Sequence, residues 1–261
     1  MPTVKEIIRD LAIAAYRIGS VFIPVKDDVI LFESSNGRNY TGNPRYIYEE
    51  MVWQGLDKKY KCIWSFQNPA IEIPGCGEKI KRSRFKFLYY SRRSKFWIFD
   101  SRHQYYLRKN KKTKYIQTWH GTPLKKLALD MEKVNMSGHQ NIEKYRENFA
   151  KNSSAWDYLI SQNSYSSEIF KRAFAFDGEM LEIGYPRNDI LVNENNETKI
   201  NEIKSKLGID KDKKTYFMHQ HGEIMNITTA EFTSLQQKWI LMQWKMHYLM
   251  TMFWLLNSII L

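Results

Sequence analysis

Short apolar runs alternate with stretches of helical character along most of this chain, and that alternation limits the fold more than any other feature. Val29-Ile30-Leu31-Phe32, residues 60–66, 96–99, 115–116, 156–160 and 180–183 each have strand length and end in polar or turn-forming residues. Between them lie helix candidates: residues 43–56 opened by Asn43-Pro44, then 139–152, 166–174 and 197–207, the last with Gly208 as its stop signal. Proline is tolerated at a first helical position because no donor is needed there, and glycine is the usual residue just past a helix end. Apolar strands separated by helices predict an α/β fold with a mainly parallel sheet covered on both faces.

The stretch Tyr115-Ile-Gln-Thr-Trp-His-Gly-Thr-Pro-Leu-Lys-Lys126 concentrates residues with chemistry. It reads as a strand end, a tight turn at His120-Gly121 and a helix opening near Pro123. In an α/β domain such a turn lies at the carboxyl end of a strand, where ligands bind, and a helix amino terminus beside Lys125 and Lys126 suits an anion. Imidazole titrates near neutrality and can accept a proton, although a lone histidine more often only donates a structural hydrogen bond. The two cysteines, Cys62 and Cys76, form neither a CxxC pair nor a Cys/His cluster, so a reducing compartment and no structural zinc are expected.

Three segments in the right order carry a family resemblance. Thr118-Trp-His-Gly-Thr-Pro-Leu-Lys-Lys-Leu-Ala-Leu-Asp130, Phe32-Glu-Ser-Ser-Asn-Gly-Arg-Asn-Tyr-Thr-Gly-Asn-Pro-Arg-Tyr-Ile-Tyr48 and Gly184-Tyr-Pro-Arg-Asn-Asp-Ile-Leu191 are similar to motifs of the CDP-glycerol glycerophosphotransferases, the teichoic acid primases and polymerases. The likeness covers residues 25–214. It implies a Rossmann-like parallel sheet forming the amino-terminal half of a two-domain GT-B-type glycosyltransferase fold. The first half would contact acceptor and membrane, and the second would hold the nucleotide donor. The implied reaction moves glycerol phosphate from CDP-glycerol to a hydroxyl of a polyprenyl-linked glycerol phosphate acceptor and releases CMP, with no cofactor and no metal. His120 matches the family's catalytic histidine and would take the proton of the attacking hydroxyl. Gly121, Lys125, Lys126, Asp130, Asn43 and Arg187 are the implied acceptor- or phosphate-binding residues; for Arg187, shaping the junction between domains is an equal alternative. Ala128 departs from the pattern, since many members would have glycine there, and alanine should be tolerated if that position is helical.

The formal net charge of +12 points to a polyanionic partner, and charge alone does not choose among nucleic acid, phospholipid headgroups and a phosphate polymer. The resemblance favours an anionic membrane surface and no nucleic acid. Val4, Ile7, Ile8, Leu11, Ala12, Ala15 and Ile18 fall on one stripe of an amphipathic helix that either packs on its own domain or lies on anionic lipid. Arg9 and Asp10 interrupt the apolar run, so no secretory signal is read, and the expected location is peripheral, on the cytoplasmic face of the cell membrane. Residues 79–95 interleave lysines and arginines with aromatics; they could stack bases while neutralising phosphates, or form a helix with aromatics inward and cations outward. Residues 108–114 read as a solvated basic loop.

The expected organisation is an amphipathic helix over 1–24, an acceptor-side domain over 25–208, and the start of a donor domain over 209–261 that gives way to an aberrant tail. Residues 215–261 hold six of the eleven methionines and three of the eight tryptophans, but no aspartate, proline or arginine. Residues 239–261 are about long enough to span a membrane, and His219-Gln-His221 is too few ligands for a metal site. A third reading is translation out of frame. Met and Trp each have one codon, and a shifted frame through residues 217–226 permits the string YAPTWRDNE, like a strand motif that opens the family's second domain. The same shift through residues 238–250 permits an acidic amphipathic helix. On that reading the family's second histidine and Ser-Ser phosphate motif are missing, and the chain is an acceptor-binding half enzyme with little transferase activity. The rival from another class is a basic binding module for RNA or anionic membrane.

Overall fold

The structure, a computed structural model, describes residues 3–133 and 141–213. The chain divides into two units, Met1–Glu202 and Ile203–Leu261, and of the second only residues 203–213 are described. The readings of the tail, as membrane span, metal site or shifted frame, lie outside the described residues.

Seven strands form one sheet: β1 Lys26–Glu33, β2 Lys61–Phe66, β3 Glu78–Lys81, β4 Ser94–Phe99, β5 Lys114–Gln117, β6 Tyr158–Ser161 and β7 Glu179–Glu182. Every pairing is parallel, in the order β3-β2-β1-β4-β5-β6-β7. The mainly parallel sheet expected from the alternation, Rossmann-like as the resemblance implies, is therefore what the chain forms. The apolar runs read as continuous because both faces of the sheet are buried. Along β1, Val29 and Leu31 enter one core with Ile63, Trp97, Phe99, Tyr115 and Leu159. Ile30 and Phe32, one residue out of phase, enter the other with Cys62, Trp64, Phe66 and Ile98. Register aligns Leu31 with both Ile63 and Trp97, so large side chains stack across three strands.

Helices α2 Gly42–Trp53, α3 Phe85–Arg93, α4 Ile142–Ser153 and α5 Ser164–Ala173 follow β1, β3, β5 and β6. The side chains of Asn141 and Asn163 cap α4 and α5 by accepting from Lys144 and Ser166 amides, the role asparagine commonly fills at a helix start. A short α6 Asp189–Asn193 and α7 Glu197–Lys206 follow β7, and Gly208 ends the last helix at φ +66°.

The basic run 79–95 is not one helix. Its first part is β3, which supplies the outer partner that β2 needs, and Ser83 in the left-handed region (φ +58°) separates it from α3. Phe87 and Tyr90 do face the core, but Arg92 turns inward as well: it is 8% exposed and donates to the Ser20 and Arg108 carbonyls.

The amino-terminal helix α1 Val4–Gly19 has a complete capping box between Thr3 and Glu6. Its last turns are moored: the Tyr16 hydroxyl meets Ser91 Oγ at 3.0 Å, and Arg17 donates to the Tyr105 carbonyl. Val4, Ile7, Ile8, Leu11 and Ile18 are exposed, as are Val21 and Phe22 in the turn that follows.

Candidate active site

Strand order reverses between β1 and β4, because β2 and β3 lie on one side of β1 and β4 to β7 on the other. The chain therefore leaves β1 and β4 in opposite directions and opens a crevice at their carboxyl ends, the usual ligand position in such sheets. Glu33 and the 3-10 turn Ser35–Gly37 border it from β1, Asp100 from β4, and Thr118 to Gly121 from the next strand, β5. The turn after β1 is held in an unusual shape: Ser35, Asn36 and Gly37 have φ of +48°, +55° and +76°. L residues avoid this region, and such geometry collects at functional sites. The Ser35 amide donates to both oxygens of the Asp100 carboxylate, at 2.8 and 3.0 Å, which helps to hold the turn.

His120 sits exposed on this rim. Its Nδ1 lies 2.8 Å from the Asp100 carbonyl oxygen; a carbonyl only accepts, so Nδ1 carries the proton. In the neutral ring the lone pair is therefore on Nε2, which has no protein partner among the described residues. Trp119, at φ +50°, stacks on the imidazole with ring centres 4.4 Å apart and packs on Phe170 and Phe174 behind it. Around the histidine almost every polar group is tied. The Trp119 amide donates to Gln117 Oε1 at 3.0 Å, and the Tyr185 hydroxyl donates to the Gly121 carbonyl at 2.9 Å. Asn43 donates to the Thr118 and Trp119 carbonyls.

The other residues singled out in the sequence are distributed unevenly. Gly121 adjoins His120, and Lys125 and Lys126 are exposed on the same loop, with Lys126 paired to Glu132. Arg187 joins this loop cluster through its backbone, whose N–H donates to Asn43 Oδ1 at 3.3 Å, while its guanidinium lies over the Tyr185 ring. Asn43 is fully buried and its amide is engaged with backbone on both ends, so its side chain is not presented to a ligand. Asp130 forms a two-pronged pair with Arg172 of α5, with Nη2 to Oδ2 at 2.8 Å, bracing the 3-10 turn Ala128–Asp130. That carboxylate raises the Arg172 pKa.

No helix opens at Pro123. The chain runs irregularly from Gly121 to Leu127 and then makes only that 3-10 turn. A residue before proline is pushed away from helical backbone, and the Tyr185 and Gln162 side chains tie Gly121 and Thr122 in place. The lysines therefore bring their own charge, without a helix end to add to it. Ala128 is likewise not helical: it is buried with φ +44°, a conformation glycine adopts freely and alanine adopts at a cost of about 1 kcal/mol.

Residues without an assigned role in the motifs complete the electrostatics. Burial pushes the Asp100 carboxyl up, against the pull of the Ser101 hydroxyl, the Ser35 amide and His120. Burial also raises the Glu33 carboxyl, opposed by Arg82, whose Nε lies 3.0 Å away, and by the Ser65 hydroxyl at 2.7 Å. Tyr185 is buried and pushed up to about 12, so it stays a donor at all ordinary pH. His103, by contrast, is half-buried between the Trp97 and Tyr115 rings, and that burial pushes it down to about 4, which keeps it neutral. The signals for Asp100 and Tyr185 were their places, one directly after an apolar strand and the other inside the Gly184–Arg187 motif. Among the described residues no three His, Cys, Asp or Glu side chains gather into a metal site.

Comparison with known proteins gives a consistent match. A family model for CDP-Glycerol:Poly(glycerophosphate) glycerophosphotransferase matches residues 15–252. The teichoic acid poly(glycerol phosphate) polymerase of Bacillus subtilis is 50% identical over 196 residues, covering 74% of this chain and 26% of that protein. The teichoic acid glycerol-phosphate transferase of Staphylococcus aureus is 38% identical over 222 residues, covering 81% of this chain and 54% of that protein. Among solved structures, the wall teichoic acid polymerase TagF superposes with a TM-score of 0.71 at 43% identity, covering 81% of this chain and 52% of that one. The chain thus spans between a quarter and about half of these relatives.

Proposed function

The chain belongs to the CDP-glycerol:poly(glycerophosphate) glycerophosphotransferase family, and from that membership we propose that it is the acceptor-side, base-bearing part of such a transferase. The reaction is transfer of glycerol phosphate from CDP-glycerol to a hydroxyl of a polyprenyl-linked glycerol phosphate acceptor. His120 Nε2 takes the hydroxyl proton as that oxygen bonds to the phosphorus of the glycerol phosphate, and the bond to CMP breaks with its electrons leaving on CMP. What carries this reading is the Nε2 edge of His120, aimed outward by the Asp100 carbonyl at the rim of the sheet's crevice. Transfer of this kind depends on positioning and on cancelling phosphate charge, a task suited to Lys125, Lys126 and Arg187.

The domain layout that goes with it is a surface helix over 1–24, the acceptor domain over 25–208 and the start of a donor domain from 209. Membrane contact is part of the proposal. The exposed apolar side chains of α1 and the turn after it, beside a chain of net charge +12, suit peripheral attachment to the anionic cytoplasmic face of the cell membrane, where a polyprenyl-linked acceptor resides. No helix of the described residues is long and apolar enough to cross a membrane.

Two measurements test the proposal. Incubating the chain with CDP-glycerol and a lipid-linked acceptor should release little CMP; turnover at the rate of a full polymerase overturns the half-enzyme part. The acceptor should protect His120 from diethyl pyrocarbonate, and labelling unaffected by acceptor overturns its place in the site. Tight, salt-sensitive RNA binding that survives replacement of His120 would favour the basic binding module instead.

A further inference from the structure

Asn43 lies in the first turn of α2, yet its side chain bonds outside that helix. It is 0% exposed and joins the two other motifs. Its Nδ2 donates to the Thr118 carbonyl at 2.9 Å and the Trp119 carbonyl at 3.1 Å, the peptide planes on either side of Trp119. Its Oδ1 accepts the Arg187 N–H at 3.3 Å. These backbone groups lie in irregular chain past β5 and in the 3-10 turn Pro186–Asn188. Buried backbone groups need a partner. The residue they enclose, Trp119, is held at φ +50°, and the next ring is His120.

We propose that Asn43 is a positioning residue for His120: one buried amide fixes both peptide planes flanking Trp119, sets the approach of the imidazole to the Asp100 carbonyl, and registers that loop against the Arg187 turn. The functional meaning rests on His120 being the proton acceptor; the orientation itself does not. The chemistry selects asparagine. Two donors on one nitrogen meet two carbonyls, while the oxygen meets an N–H. Aspartate has the same shape but turns an acceptor toward both carbonyls, and alanine leaves the Thr118 carbonyl and the Arg187 N–H without their partner and the Trp119 carbonyl with only the Thr118 hydroxyl.

The test uses the full chain labelled with 15N-histidine, the His120 signal being identified by its loss in His120→Gln. In the wild type the neutral ring should favour the Nδ1–H tautomer by about tenfold, as expected of one hydrogen bond. In Asn43→Asp that preference should fall toward unity. Val29→Ala, a core change that touches none of these bonds, should leave it intact. Asn43→Asp retaining the wild-type tautomer ratio, or Val29→Ala shifting it as much, overturns the proposal. Should Asn43→Asp not fold, hydrogen exchange of the wild type decides: the Asn43 side-chain amide and Arg187 N–H protons should exchange at least about 100-fold slower than exposed ones, and fast exchange overturns it. Failure of the proton-acceptor reading would appear separately, as diethyl pyrocarbonate labelling of His120 that acceptor leaves unchanged while the tautomer results stand.

Discussion

The imidazole of His120 is held by the peptide carbonyl of Asp100, 2.8 Å from Nδ1, so that β4 orients the ring carried by β5. The Asp100 side chain is engaged separately, by the Ser35 amide and the Ser101 hydroxyl. The ring is thereby oriented by a backbone carbonyl rather than by the carboxylate.

His120→Ala should lower any CMP release by about 10²- to 10⁴-fold, the range for losing a general base. The ring is exposed, so the unfolding free energy should change by less than about 1 kcal/mol. Parallel assays of transfer and urea unfolding check both; a large loss of stability would assign the histidine to the scaffold instead.

Trp119 connects the site to the core by stacking on His120 and packing on Phe170 and Phe174. Trp119→Ala should cost about 2 kcal/mol, below the figure for a fully buried aromatic because the ring is only half-buried. It should also reduce the protection that acceptor gives His120 against labelling. Unchanged unfolding would contradict the packing described.

Glu33 and Asp100 both have carboxyl pKa values raised by burial. A group raised on folding contributes stability that is fully present below its unfolded pKa, about 4, and is lost as pH rises through the folded value. Glu33→Gln keeps the shape and stays neutral at every pH. The stability difference between variant and wild type should therefore move in the variant's favour as pH rises from about 4. Urea titrations across that range check it, and a flat or opposite trend contradicts the raised Glu33.

Ile8 and Leu11 are 61% and 65% exposed on α1. Replacing both by aspartate should weaken binding to anionic phospholipid vesicles by about tenfold or more, with unchanged melting temperature. Wild-type binding should also weaken as salt rises. Equal vesicle binding by variant and wild type would remove α1 from the membrane contact.

Much of this was legible in the sequence, because local pattern and global fold agree. Continuous apolar runs such as Ile30 to Phe32 report burial on both faces, and Asn43-Pro44 and Gly208 mark helix ends. His120 was legible because a strand end, a histidine and a glycine fall together. What escaped depends on contacts distant in sequence. Nothing near residue 43 says that its amide reaches residues 118, 119 and 187, and nothing near Asp130 says that Arg172 occupies it. The expected helix at Pro123 failed for a related reason: the lysines imitate a helix opening, whereas tertiary bonds to Gly121 and Thr122 hold the backbone irregular.

The placement of β1 between β2 and β4 also governs how the molecule is made. As the chain leaves the ribosome, β1 can zip to β2 early, but its second edge stays open until residue 94 has emerged. An apolar strand with one unsatisfied side is a template for wrong partners. The interval between those two pairings is where this chain would be most exposed to self-association and most in need of a chaperone.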